Sequence, residues 1–468
     1  MRNEGALFLP VAELAARIKS RALSPVDLTE FYLQRSETLG PRYNAYVTLT
    51  AERARAAAQR AEREIVAGHY RGPLHGIPYA AKDLLAVNGY PTTWGAAPFA
   101  NQRFDYDATV IQKLDHAGAV LIGKAAMIEL AGGMGYRFAS ASLTGPAKNP
   151  WNTNCWTCGS SSGSAAIVAA GLAPFAIGTE TWGSILCPSS FCGITGLRPT
   201  FGRVSRWGAM ALAYSMDKIG PLARTAEDAA LVLEAIAGPD PKDRSSLPPG
   251  QAEFHSASGP PARPPRIGRL TNAWQKASPE IVAAADAALK VLEQHGCPIA
   301  DVELPEGPWE DAGGVMVAVE CASAFEDLIE SGDVAKLTDP LGQINGYAYK
   351  QVSAADYLQA LRVREILQEK IDTLFDKFDV IAAAGQPVTA TTLETNLETD
   401  LSFADPLGGI GNLCGLPAIG VPCGFSSAGM PMGIQFLARV RNDAAVIATA
   451  RLYQQHTEWH KRRPPIPD

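Results

Sequence analysis

From about residue 74 onward the chain alternates short, wholly apolar runs with segments of helical period, and this limits the fold more than any other feature. Ile77-Pro-Tyr-Ala-Ala81 and Gly118-Ala-Val-Leu-Ile-Gly123 read as strands with no charged face. Such strands must be covered on both sides, which a sheet achieves when helices pack on each face. Helical segments fall between them. Asp107 is expected to cap a helix running to Leu114, and Thr225-Ala-Glu-Asp228 reads as a capping box for a helix that Gly238 closes. Further strands are expected at Ile267–Leu270, Val380–Ala384, Ala418–Val421 and Gly433–Leu437, the last two adjacent in the core. Ser278-Pro279 starts another helix, and residues 353–378 form a long amphipathic one. The N-terminal stretch is helical: Val11, Leu14, Ala15 and Ile18 repeat at helical spacing. Ser24-Pro25 then provides an N-cap and N1 proline for a helix carrying Leu28, Phe31 and Tyr32. The expected fold class is α/β, a large mixed β-sheet sandwiched between α-helices.

Residues 239–265 are rich in proline, serine and charge and are expected to form a surface loop. Strands on both sides argue for one interrupted sheet rather than two domains. The expectation is a single domain over 1–468: a helical segment to residue 70, a core over 74–238, the loop, and the rest of the sheet with substrate-lining loops over 266–468. A chain of 468 residues with 47% hydrophobic content can bury a core of this kind. The net charge of −7 and the absence of a basic run disfavour autonomous nucleic-acid binding. With no apolar stretch of roughly 18 residues, no membrane span is expected. The N-terminus lacks a signal-like apolar run, so a cytoplasmic location is expected. The eight cysteines are sparse and suggest no disulfide framework. Cys155-Trp-Thr-Cys158 has the spacing of a redox or zinc half-site, but no second such pair and no nearby histidine completes it. Buried thiols are expected there and at Cys187 and Cys192, with no metal and no cofactor.

The chemistry is expected between Cys158 and Arg206, where glycine, serine and alanine dominate but embedded apolar runs exclude a flexible linker. Glycine-rich loops can approach one point closely and aim several backbone N–H groups at it, as a developing oxyanion requires. A serine hydroxyl also needs a base. No histidine lies within the serine segment, and His75 could reach it only through folding. Lys82 ends the apolar strand 77–81, where burial disfavours the ammonium form. Its alternative role is an ion pair with Asp83. Asp217 is either a support for the serine loops or a plain turn carboxylate.

On these residues the chain resembles the amidase signature family: Gly76-Ile-Pro-Tyr-Ala-Ala-Lys82-Asp83, the Gly/Ser segment, and Gly415-Leu-Pro-Ala-Ile-Gly-Val-Pro-Cys-Gly-Phe425. The resemblance extends over most of the chain. It implies that Ser184 is the nucleophile, Ser160 a bridging serine preceded by a cis peptide, and Lys82 the ultimate base. It further implies an oxyanion hole around Thr181, Trp182, Gly183 and Ser184, and a substrate-lining loop at Ala131, Gly132 and Gly133. Where the family commonly has G-T-D-T-G-G-S-I-R, this chain has Gly178-Thr-Glu180-Thr-Trp182-Gly-Ser-Ile-Leu186, a form similar to the peptide amidase branch. Trp182 and Leu186 are therefore expected to wall the site with apolar surface. The implied activity is hydrolysis of C–N bonds in uncharged apolar or aryl amides, extending to carbamates and esters, on small-molecule substrates by a monomer or homodimer. The alternatives are the glutaminase component of a tRNA-dependent amidotransferase, its A subunit, and a non-catalytic binding member. Loops at 300–350 and 385–410 are expected to set specificity.

Overall fold

Eleven strands build one mixed sheet: β1 (Tyr46–Leu49), β2 (Pro78–Lys82), β3 (Val120–Ala125), β6 (Phe175–Glu180), β7 (Thr195–Arg198), β8 (Lys218–Ala223), β9 (Ile267–Leu270), β10 (Ile299–Val302), β11 (Val380–Ala384), β12 (Ala418–Phe425) and β13 (Pro431–Leu437). A separate hairpin pairs β4 (Lys148–Asn149) with β5 (Asn152–Trp156). This computed structural model describes residues 4–255, 263–272, 277–400, 405 and 407–465. Parts of the expected 239–265 and 385–410 loops lie outside the described residues.

The strands run in the order β1-β3-β2-β6-β8-β7-β12-β13-β11-β9-β10. β3, β2 and β6 are parallel to one another, as are β11, β9 and β10, whereas the strands between run antiparallel. β2, β3, β6, β8, β11 and β13 are buried at every position, which is why their sequences show no period-two alternation. Across β2 and β6 the rings of Tyr79 and Phe175 stack with centroids 5.3 Å apart. β9, β10 and β11, which follow the proline-rich segment, join the same sheet as β2 and β6. Among the described residues, no helix is long and apolar enough to cross a membrane.

Capping differs from expectation at two helices. The helix Thr109–His116 has Ala108 at its N-cap, and Asp107 instead forms an ion pair with Arg53 at 2.8 Å and accepts from the Asn88 N–H. A long-range arginine outcompetes the local cap. In the helix Ala226–Ile236 half of the capping box forms, with the Asp228 N–H donating to Thr225 Oγ1. The Asp228 side chain turns away to accept from Val11 N at 2.8 Å, tying the start of the helix Val11–Lys19 to this one. Ser24 caps the helix Pro25–Tyr43 as expected, accepting from the N–H groups of Val26 and Asp27.

Candidate active site

Because β2 and β6 are parallel neighbours, with Ala81 opposite Ile177, their carboxyl ends emerge side by side. Lys82 ends β2 and is fully buried. Its Nζ donates to Ser160 Oγ at 2.7 Å and to Thr179 Oγ1 at 2.9 Å. Asp83 does not pair with it: that carboxylate lies 2.8 Å from Lys124 Nζ and accepts from Thr93. Lys82 therefore meets two neutral hydroxyls where a structural lysine would meet a carboxylate. Burial lowers its pKa to about 7, against the more distant pull of Asp217 and Glu180. A lysine with that pKa is neutral often enough near neutral pH to serve as a base.

Ser160 reaches Lys82 from the loop after β5, and the Gly159–Ser160 peptide is cis. Next to it, Ser161 stitches this loop to β6: its Oγ donates to Thr179 O, and the Thr179 N–H donates back to it. The Ser161 N–H donates to Ser184 O at 3.3 Å, which brings the two serine loops together. Ser184 lies beyond β6, after Gly183, whose φ of +84° is a conformation that favours glycine. Among the described residues, no acceptor takes the N–H groups of Trp182, Gly183 or Ser184.

Glu180, the last residue of β6, holds the far side of this turn. One carboxylate oxygen accepts from the N–H groups of Ile185 and Leu186, the other from Arg198 and Asn412. Burial pushes the Glu180 pKa up, but the Arg198 guanidinium and these hydrogen bonds more than offset it and leave it below the usual value. Asp217 supports the turn from the other side, accepting from Thr181 Oγ1 at 2.5 Å and from the N–H groups of Leu212 and Ala213.

Ser184 opens onto a cavity of about 460 Å³ shared by Ala131, Gly132, Gly133, Trp182 and Gly183. Leu130 and Ala131 hold positive φ values of +48° and +55°, strained for residues with a side chain, and Ala131 lines the cavity. The Trp182 indole is slotted between two helices at glycines: a Cβ on Gly313 or Gly409 would come within 2.3 or 2.7 Å of it. Leu186 does not line the cavity; it starts the helix Leu186–Cys192, is buried, and packs against β12 at Gly420. A helix start pinned to Glu180 turns that side chain into the sheet.

Two further features were not legible in the sequence. Cys158 and Cys187 form a disulfide, where buried thiols were expected, because folding brings together two segments far apart in sequence. Cys155 and Cys192 are free and buried, as expected. Asp405, from the loop before the helix Gly408–Leu413, also lines the cavity. Its Oδ1 accepts from Gln435 at 2.6 Å, while its buried Oδ2 has no partner among the described residues. Burial raises its pKa to about 6, with the Gln435 bond opposing. His75 lies elsewhere, buried beneath Gly118 with Glu64 3.1 Å from its ring. The signal for Thr179 and Glu180 was present in the sequence: two polar residues at the end of a buried strand must find partners.

The Amidase family profile matches residues 27–447. The chain belongs to the amidase signature family. Among solved structures, this family member is similar to the peptide amidase of Stenotrophomonas maltophilia, with 32% identity, a TM-score of 0.87 and 98% of each chain covered. It is also similar to the peptide amidase PAM in complex with the competitive inhibitor chymostatin, with a TM-score of 0.89, 31% identity and both chains covered completely. The A subunit of the glutamyl-tRNA(Gln) amidotransferase of Halorhodospira halophila (strain DSM 244 / SL1) is 36% identical over 480 residues, covering 97% of this chain and 98% of that relative.

Proposed function

We propose that this amidase-family protein hydrolyses the C–N bond of uncharged apolar or aryl amides, and of carbamates of similar shape, through an acyl-enzyme on Ser184. The observation that carries this reading is the buried Lys82 with its pKa lowered to about 7 and its Nζ 2.7 Å from Ser160 Oγ. As Ser184 Oγ bonds to the substrate carbonyl carbon, its proton passes to Ser160 and the Ser160 proton passes to Lys82 Nζ. The carbonyl electron pair moves onto oxygen, where the N–H groups of residues 181–184 receive it. When the C=O bond re-forms, the C–N bond breaks and the amine leaves with the proton returned from Lys82 through Ser160. Water then attacks the acyl-enzyme by the same route, releasing the acid and restoring Ser184.

Trp182 supports an apolar acyl or amine group because its indole walls the cavity beside the nucleophile. Aryl amines leave more readily than alkyl amines because their nitrogen is less basic, so N-aryl amides and carbamates are expected to turn over faster than matched N-alkyl analogues. A panel of anilides, N-aryl and N-alkyl carbamates, esters and glutamine tests this. Glutamine as the best substrate, with inert N-aryl compounds, would overturn it in favour of a second reading, the A subunit of a tRNA-dependent amidotransferase. The similarity to the Halorhodospira halophila protein favours that second reading. Co-purification with a second amidotransferase component is its signature.

A further inference from the structure

We infer that the Cys158–Cys187 disulfide is a positioning element of the catalytic site, holding the Ser160 loop against the Ser184 loop so that cleavage of the bond lowers turnover while the fold persists. The inference rests on the roles proposed above for Ser160 and Ser184. Cys158 is separated from Ser160 by Gly159 alone, and Cys187 stands in the first turn of the helix that follows Ser184. The Cys187 N–H donates to Gly183 O at 2.8 Å, so the sulfur bridge is anchored directly to the nucleophile turn. The two loops leave different elements, one following the hairpin strand β5 and the other following β6. Their direct backbone tie near the serines is the long bond from Ser161 N to Ser184 O at 3.3 Å. Cys158 also holds a φ of +65°, a left-handed conformation that a residue with a side chain leaves readily when nothing restrains it. Without the bridge, relaxation at Cys158 would carry Ser160 with it.

The bridge borders the site. Both half-cystines line the cavity that holds Ser184, although each is itself buried, and the other six cysteines are free and buried as well. A small dithiol entering the cavity would attack one sulfur as thiolate to give a mixed disulfide. Its second thiolate then closes a cyclic disulfide, so that the dithiol is oxidised and Cys158 and Cys187 are released as two thiols. Such bonds stay closed in oxidising compartments and open in a glutathione-reduced cytosol, so the rate of this enzyme would follow the redox poise around it.

The experiment compares the full-length protein before and after treatment with dithiothreitol. Thiols are counted in denaturant, turnover is measured on an anilide, and the rate of Ser184 labelling by a small fluorophosphonate is followed. The expected count is six thiols in the oxidised protein. Reduction is expected to lower kcat by about 10- to 100-fold with KM moving much less, as small misplacement of reacting groups does. Labelling should slow in parallel, the circular dichroism spectrum should be retained, and re-oxidation should restore the rate. The C158S/C187S protein should match the reduced enzyme and ignore dithiothreitol. Equal kcat in the two states, eight thiols in a fully active oxidised preparation, or a loss of rate that tracks unfolding would each overturn the inference. If the anilide is inert but labelling still responds to reduction, the substrate reading fails and the positioning role stands. No labelling in either state would remove both.

Discussion

Lys82 shows how one residue sets the chemistry. Its burial beside two hydroxyls makes it a base, so Ser184→Ala is expected to abolish turnover, and Lys82→Ala and Ser160→Ala to lower kcat by about 10²–10⁴-fold each. Normal activity in the Lys82→Ala protein would refute the proposed relay. Activity should rise with pH as Lys82 loses its proton, half-maximal near its pKa of about 7. The same shift has a sign for stability. Between about 7 and the ordinary 10.5 the unfolded chain binds a proton that the folded chain lacks, so this group favours folding increasingly as pH rises through that window. A kcat/KM profile and a denaturation series across that range check both statements. Trp182 is the residue to test for specificity. Because Trp182 lines the cavity and its ring lies between Gly313 and Gly409, Trp182→Gly is expected to change the ranking of amide substrates more than the rate with a small activated ester. An equal loss on every substrate would assign it a structural role in the turn.

At the scale of elements, the site depends on how closely the helix Ser162–Ala169 approaches the sheet. The Gly163 N–H donates to Ala126 O at 2.8 Å, and a Cβ there would lie 2.4 Å from Ala45 O and 2.5 Å from Ala126 N. Backbone atoms cannot step aside as a flexible side chain can. Gly163→Ala is therefore expected to destabilise the protein by about 3 kcal/mol or more and to displace the adjacent serine loop. The shift of the urea midpoint measures this, and a change below roughly 0.5 kcal/mol would show that the helix has room to move. The strands β2, β3, β9, β11, β12 and β13 were legible because buried strands are uniformly apolar, and several helices were legible because their starts carry cap residues or proline. The choice of partner by a capping residue was not. Asp107 and Asp228 both look like local caps in sequence, yet an arginine and a distant helix N-terminus claim their carboxylates.

For the whole molecule, Glu180 and Arg198 join β6, β7 and the helix Gly408–Leu413 through a fully buried ion pair at 2.7 Å and the Asn412 amide. The nucleophile turn is thereby clamped by parts of the chain far apart in sequence. Prolonged treatment with EDTA or phenanthroline is expected to leave turnover unchanged, because the proposed relay needs hydroxyls and an amine. Among the described residues, no cluster of three or more His, Cys, Asp or Glu side chains could hold a metal ion. Loss of activity restored by added zinc would refute this.

By itself the sequence determined the class of the fold and the kind of chemistry. Apolar strands at β2 and β3 demand a covered sheet, and a lysine ending one of them, with glycine- and serine-rich loops further on, points to an acyl-transfer site without histidine. The tertiary structure decided everything that depends on which distant residue wins a contact. It gave Lys82 the hydroxyls of Ser160 and Thr179 and gave Asp83 to Lys124. It turned Leu186 into the core, left a buried oxygen of Asp405 without a partner among the described residues, and joined Cys158 to Cys187. The physical reason is range. Local patterns encode burial and backbone conformation over a few residues, whereas pairing of buried polar groups and thiols is settled only when the sheet brings remote segments within hydrogen-bonding or covalent reach.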